Sequence, residues 1–116
     1  MSYTDEQTTR LTKDAAAIIA CTRSGATARA ISRYRPSMPV VATTPSPRTQ
    51  RQLTVSWGIE TLGVPEAEST DDVVWFAVKR VVEAGYARSG DVVVVLAGSP
   101  DAAVPVADTL RLVRVG

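Results

Sequence analysis

Val92 to Leu96 reads VVVVL, an apolar run opened by Ser89-Gly90-Asp91 and closed by Ala97-Gly98. Five residues are too few for a buried helix, and β-branched side chains favour extended backbone, so the run predicts a strand. No polar residue interrupts it, which means both faces must be covered. Uninterrupted strands of this kind sit in the middle of parallel sheets with helices on either side.

Three further apolar runs are bounded by turn residues: Ala15 to Cys21, Pro39 to Thr43 and Ile59 to Val64. The segments between the runs carry helix signals. Thr27 to Tyr34 forms the first, ending before Pro36, which biases its predecessor to extended geometry. Pro45 to Trp57 forms the second, with Ser46 as N-cap and Pro47 at the first helical position. A third begins at Ser69 or Thr70, places Asp71 and Asp72 in its first turn, and directs Val74, Ala77, Val78, Val81 and Val82 to one side before Gly85 stops it. Leu110 to Val115, LRLVRV, alternates apolar and basic residues and is expected as an antiparallel edge strand with one wet face.

Alternating strands and helices predict an α/β fold, a three-layer α/β/α sandwich around a mostly parallel five-stranded sheet with an antiparallel edge strand at the C-terminus. Residues 15–116 fill one domain of ordinary size. Residues 1–14 are expected as an N-terminal arm or short helix, polar and acid-bearing, with no signal-peptide character.

In such sheets ligands bind beyond the carboxyl ends of the strands. The turn there after the first strand holds Thr22, Arg23, Ser24, Gly25, Ala26 and Thr27. A helix start leaves amides unpaired and favours negative charge. The hydroxyls can donate to phosphate oxygens, Arg23 adds fixed charge, and Gly25 permits unusual backbone angles. The plainer account is that Ser24 and Thr27 merely cap a helix. No GxxxxGK[ST] or GxGxxG is present, so nucleotide hydrolysis has no support. Thr44 and Arg48, with Arg51 nearby, and Gly98 and Ser99 after the VVVVL strand, are candidates for a second anion contact; a capped helix with a solvated basic face explains Arg48 and Arg51 equally well.

The chain has no histidine and one cysteine, Cys21. Imidazole catalysis, internal disulfides and multi-cysteine metal sites are therefore excluded, and no cofactor or metal is expected. Cys21 is expected buried as a small hydrophobe rather than reactive. Trp57 and Trp75 are expected in the core or at an interface. The formal charge of +1 gives no global field toward nucleic acid or membrane. A cytoplasmic location is the default expectation.

The order of motifs resembles the carboxy-terminal domain of pyruvate kinase. CTRSGATARAISRYRPSMPVVATTPSPRTQRQL is similar to that domain's first strand, effector-loop turn and following elements; SWGIETLGVP to its third strand; STDDVVWFAVKRVVEAGYARSGDVVVVLAG to its long helix and fourth strand; and DTLRLVRV to its closing strand. The resemblance implies a domain without catalysis, carrying a site for phosphorylated effectors such as fructose bisphosphate or other sugar phosphates and contributing a tetramer contact. Pyruvate kinase catalysis belongs to a separate α/β barrel, for which this chain has no room.

Residue by residue, Thr22 to Thr27 match the family's Thr/Ser-rich phosphate loop. The Trp and Arg that hold the second phosphate in fructose-bisphosphate-regulated members match Ser69 and Phe76, neither of which can do that work. The usually glycine-rich second loop reads Gly98 to Val106 with Ala, Val and Pro in place of glycines, and Asp101 would repel phosphate. A regulatory domain binding one phosphorylated metabolite is thus implied, with an oligomerisation module that has lost its ligand as the alternative. Implied partners are a second copy through Leu110–Val115 or a separate catalytic chain. The character of residues 1–14 slightly favours a free-standing gene product.

Overall fold

Ala17 to Cys21, the strand β1 (Ala17–Cys21), is buried at every position, and this follows from what flanks it. In the computed structural model, which describes residues 15–33, 37–97 and 109–116, β1 lies at the centre of one five-stranded sheet. Its companions are β2 (Val40–Thr44), β3 (Glu60–Gly63), β4 (Val92–Ala97) and β5 (Thr109–Arg114), in the order β3-β2-β1-β4-β5. The first four strands run parallel, and β5 pairs with β4 antiparallel. Register sets Cys21 opposite Thr43 on one side and Ala97 on the other. The fold is the expected α/β sandwich. Residues 1–14, assigned above to an arm, lie outside the described residues.

Among the described residues three helices cover the sheet: α1 (Ala26–Ser32), α2 (Pro47–Trp57) and α3 (Thr70–Glu83). Because strand side chains alternate, β1 sends Ile19 and Cys21 to one face and Ile18 and Ala20 to the other. On the first face Ile19, Cys21, Val41, Val93 and Val95 pack with Val74, Ala77 and Val81 of α3. On the opposite face Ala20 and Ala42 meet Ala28 of α1 and Leu53 of α2. Small residues at the strand positions let α1 and α2 approach closely.

The ends of the two longer helices follow from local chemistry. Ser46 Oγ accepts from the Thr49 amide at 3.2 Å, and Pro47 takes the first helical position, where its missing N–H costs nothing. Ser69 Oγ accepts from the Asp72 amide at 3.1 Å, and Asp71 and Asp72 face the positive end of α3. Ser69 therefore is the N-cap of α3.

The edge strand departs from expectation in its faces. Arg111 and Arg114 are three residues apart, so the pleat sends them to opposite sides. Arg111 and Val113 face α3, where Arg111 Nη1 pairs with Asp71 Oδ1 at 2.6 Å. Leu112 packs on the other side against Ile18 and Val94, and Leu110 is 52% exposed. The two basic residues therefore do not share one face of the strand. No helix among the described residues is long and apolar enough to cross a membrane.

Candidate anion-binding turn

The turn after β1 is built from its own side chains. Thr22 extends the strand ladder by donating its amide to the Thr43 carbonyl at 3.0 Å. Its hydroxyl, buried, then accepts the Gly25 amide at 2.8 Å. That bond curls the chain so tightly that Gly25 takes φ 91°. A Cβ at this position would lie 2.9 Å from Arg29 Nη1 and 3.0 Å from Leu53 Cδ2. Only glycine fits without displacement there.

Gly25, rather than Ser24 or Thr27, is the N-cap residue of α1, and no side chain caps it by hydrogen bond. The capping expected from Ser24 and Thr27 is replaced by two local bonds: Thr22 takes the Gly25 amide, and Ser24 Oγ takes the Ala26 amide at 3.3 Å. Both hydroxyl oxygens are thus spent as acceptors inside the turn, but each retains a proton it can donate outward. The Thr27 and Ala28 amides, at the helix start, have no i−4 carbonyl within α1, whose ladder begins with Arg29 N donating to Gly25 O at 3.0 Å.

Neighbouring elements hold the turn from both flanks. From α2, Thr49 Oγ1 donates to the Arg23 carbonyl. Arg29 Nη1 donates to the Ser24 carbonyl at 3.1 Å. From the segment between β3 and α3, Glu66 Oε2 sits 2.7 Å from Arg23 Nη2. Arg23 and Glu66 are both largely exposed, so this is a solvent-screened pair.

Of the second set of candidates, Thr44 is buried and its Oγ1 accepts the Ser46 amide at 3.1 Å, bracing the turn into α2. Arg48 is exposed in the first turn of α2, beside the residue that clamps Arg23. Gly98 and Ser99, and the whole loop to Val106, lie outside the described residues. Phe76 packs edge-on against Trp75 at 5.2 Å between centroids and takes no part in the turn.

Two contributors were not read from the sequence. Thr49 had a signal: with Leu53 it makes an i, i+4 pair inward from the Ser46 cap. Glu66 had none, since it belongs to a segment without periodic pattern and acts across 43 residues. A third feature is visible in composition once the helices are placed. From Ala15 to Ile59 there are six arginines and not one Asp or Glu, whereas residues 60–116 hold nine acidic residues against five basic. Both helices on one face of the sheet come from the acid-free stretch.

Cys21, as expected, is buried at the end of β1. Burial pushes its thiol up to about 11, with the Thr43 hydroxyl pulling weakly the other way. A thiol so protonated at neutral pH is a poor nucleophile. Apart from this interaction with the thiol, the buried Thr43 Oγ1 has no hydrogen-bond partner among the described residues. Trp57 and Trp75, expected in the core or at an interface, are not in the core, being 42% and 57% exposed; Arg29 and Arg33 lie over the Trp57 ring at 5.9 and 6.0 Å, and Lys79 over Trp75 at 4.9 Å. Among the described residues no three His, Cys, Asp or Glu side chains are grouped to hold a metal ion.

Comparison with known proteins gives one consistent result. The family model described as pyruvate kinase, alpha/beta domain, matches residues 7–113. A pyruvate kinase of Clostridium acetobutylicum is 46% identical over 87 residues, covering 75% of this chain and 18% of the relative. One of Staphylococcus aureus (strain USA300) is 37% identical over 108 residues, covering 93% and 18%. The crystal structure of a pyruvate kinase from Cryptosporidium parvum superimposes with a TM-score of 0.73 at 29% identity, covering 88% of this chain and 19% of that one. The chain thus spans about a fifth of the length of the relatives it matches.

Proposed function

Since this chain belongs to the family of pyruvate kinase alpha/beta domains, we propose that it is a non-catalytic regulatory domain that holds the phosphate of one phosphorylated metabolite, a sugar phosphate or nucleoside monophosphate, at Thr22–Thr27. The observation that carries this reading is the pre-shaped turn. Gly25 at φ 91° is fixed by the Thr22 hydroxyl, and Thr49 clamps the carbonyl of Arg23, so the amides at the start of α1 are ordered without a ligand. An ordered donor set loses little entropy on binding.

Phosphoryl transfer is not part of the proposal. The match covers only the part of each relative that corresponds to this domain, and the chain offers neither histidine nor an activated thiol. Any pyruvate kinase activity would have to come from the part of the relatives that this match does not cover. Binding would act by favouring one packing of subunits over another, through differential affinity.

Titration calorimetry with glucose 6-phosphate, ribose 5-phosphate, AMP and fructose bisphosphate tests the proposal. Heat from at least one of them, lost on Thr22→Val, is expected. Silence from all four at millimolar concentration rejects it.

A second reading, an assembly module indifferent to ligands, draws on the other end of the sheet. β5 pairs with β4 on one side only among the described strands, and Leu110 beside that free edge is 52% exposed. Edges of this kind extend sheets across subunits. Light scattering separates the two: an oligomer whose mass ignores phosphate compounds favours assembly alone.

A further inference from the structure

Along α2, Thr49 and Leu53 turn inward while Arg48, Arg51, Gln52 and Val55 are exposed. Arg48, Arg51 and Val55 recur at i, i+3 and i+7, so they share one outer face of the helix. Val55 is 83% exposed, more than Trp57, Trp75 or Leu110. A β-branched residue in that position contributes little to helix propensity and nothing to the core. The two arginines pair with no carboxylate among the described residues, and α1 and α2 come from a stretch without Asp or Glu.

We propose that the outer face of α2 docks an acidic amphipathic helix of a partner protein, its carboxylates on Arg48 and Arg51 and an apolar side chain one turn further on Val55. The cations are arginines throughout this layer, and the planar guanidinium grips carboxylates with two parallel hydrogen bonds. Val55 supplies an apolar contact that a phosphate backbone could not use.

Two observations favour an acidic protein over a nucleic acid. Arg29 and Arg33 already lie over the Trp57 ring at 5.9 and 6.0 Å and would compete with a stacking base for it. Residues 60–116 carry an excess of acid, which would repel a long polyanion beyond the patch. A short acidic helix needs only the face itself. The proposal is independent of any phosphate at Thr22–Thr27.

Fluorescence anisotropy with a labelled peptide of repeating Glu-Glu-Ala-Leu, added to the whole chain, tests it. The wild-type protein binds, with affinity falling as salt is raised. R48E/R51E weakens binding about tenfold, and V55S weakens it about two- to fivefold. Circular dichroism confirms that both variants keep their helices. Equal peptide affinity for wild type and R48E/R51E, or no binding by wild type, overturns the proposal. So does capture of a thymidine oligonucleotide in place of the peptide, abolished by R48E/R51E, which would assign the face to nucleic acid.

Discussion

Thr49 Oγ1 donates its proton to the carbonyl of Arg23, 26 residues earlier in the chain. The first turn of α2 thereby fixes the turn that opens α1, and the pair is sheltered enough for the bond to matter. Thr49→Val keeps the shape, removes the donor and leaves the carbonyl underserved. A loss of about 1–2 kcal/mol is expected, read as a lower urea midpoint with unchanged m-value.

Gly25→Ala forces a Cβ into a left-handed conformation against Arg29 and Leu53. The arginine end can swing away, but Leu53 is fixed in the core. The expected cost is about 2–3 kcal/mol, again by urea unfolding. Phosphate titration of the same variant should show weaker binding, because the amides at the start of α1 lose their alignment.

Leu53→Ala removes the side chain that joins α2 to Ala20, Ala28 and Ala42. Three of its neighbours are alanines, which cannot reach into the gap. A loss of about 3–4 kcal/mol follows, and calorimetry should show a melting temperature lower by more than ten degrees, on the order of what a domain of this length gives.

Raising the pH should weaken the fold through Cys21. The thiol ionises from 9.0 when unconstrained and near 11 when buried, so between these values the unfolded chain releases a proton that the folded chain keeps. The stability is complete below about 9 and drains away as pH rises toward 11, in total on the order of 2–3 kcal/mol. Tyr86, raised first by burial and then by its bond to Glu60, adds a slope of the same sign above 10.0. Urea midpoints across this range for wild type and Cys21→Ala isolate the thiol: the variant should show the shallower decline.

Glu66→Gln should change stability by less than about 1 kcal/mol, since the bond to Arg23 is exposed. The measurement is again the urea midpoint, at low and high salt.

The architecture was legible because its signals are local and redundant. VVVVL can only be a buried strand, and the Ser46-Pro47 and Ser69 caps state where helices begin. The α/β/α layering then follows from right-handed crossovers, whereas the order of the strands was not read from the sequence. The edge strand misled because LRLVRV looks like simple alternation, while a period of two separates Arg111 from Arg114. The turn was legible in type but not in wiring. Thr22 was named for its proton and turns out also to lend its oxygen to Gly25. Glu66 reaches Arg23 by tertiary placement alone, which no spacing encodes. The tryptophans, expected in the core or at an interface, lie near the surface, where guanidinium and ammonium groups sit over their rings.

Of the described strands the central one is made first, yet it gains its second neighbour only after β2 and β3 have both been made. β1 can meet β2 soon after synthesis, yet its other neighbour is β4, where Ala17 waits for Val93. Until then the emerging chain carries an apolar edge open to any passing strand. Closing so distant a pairing is slow, so the time between those two residues leaving the ribosome, rather than final stability, sets the exposure of this domain to aggregation and to chaperones.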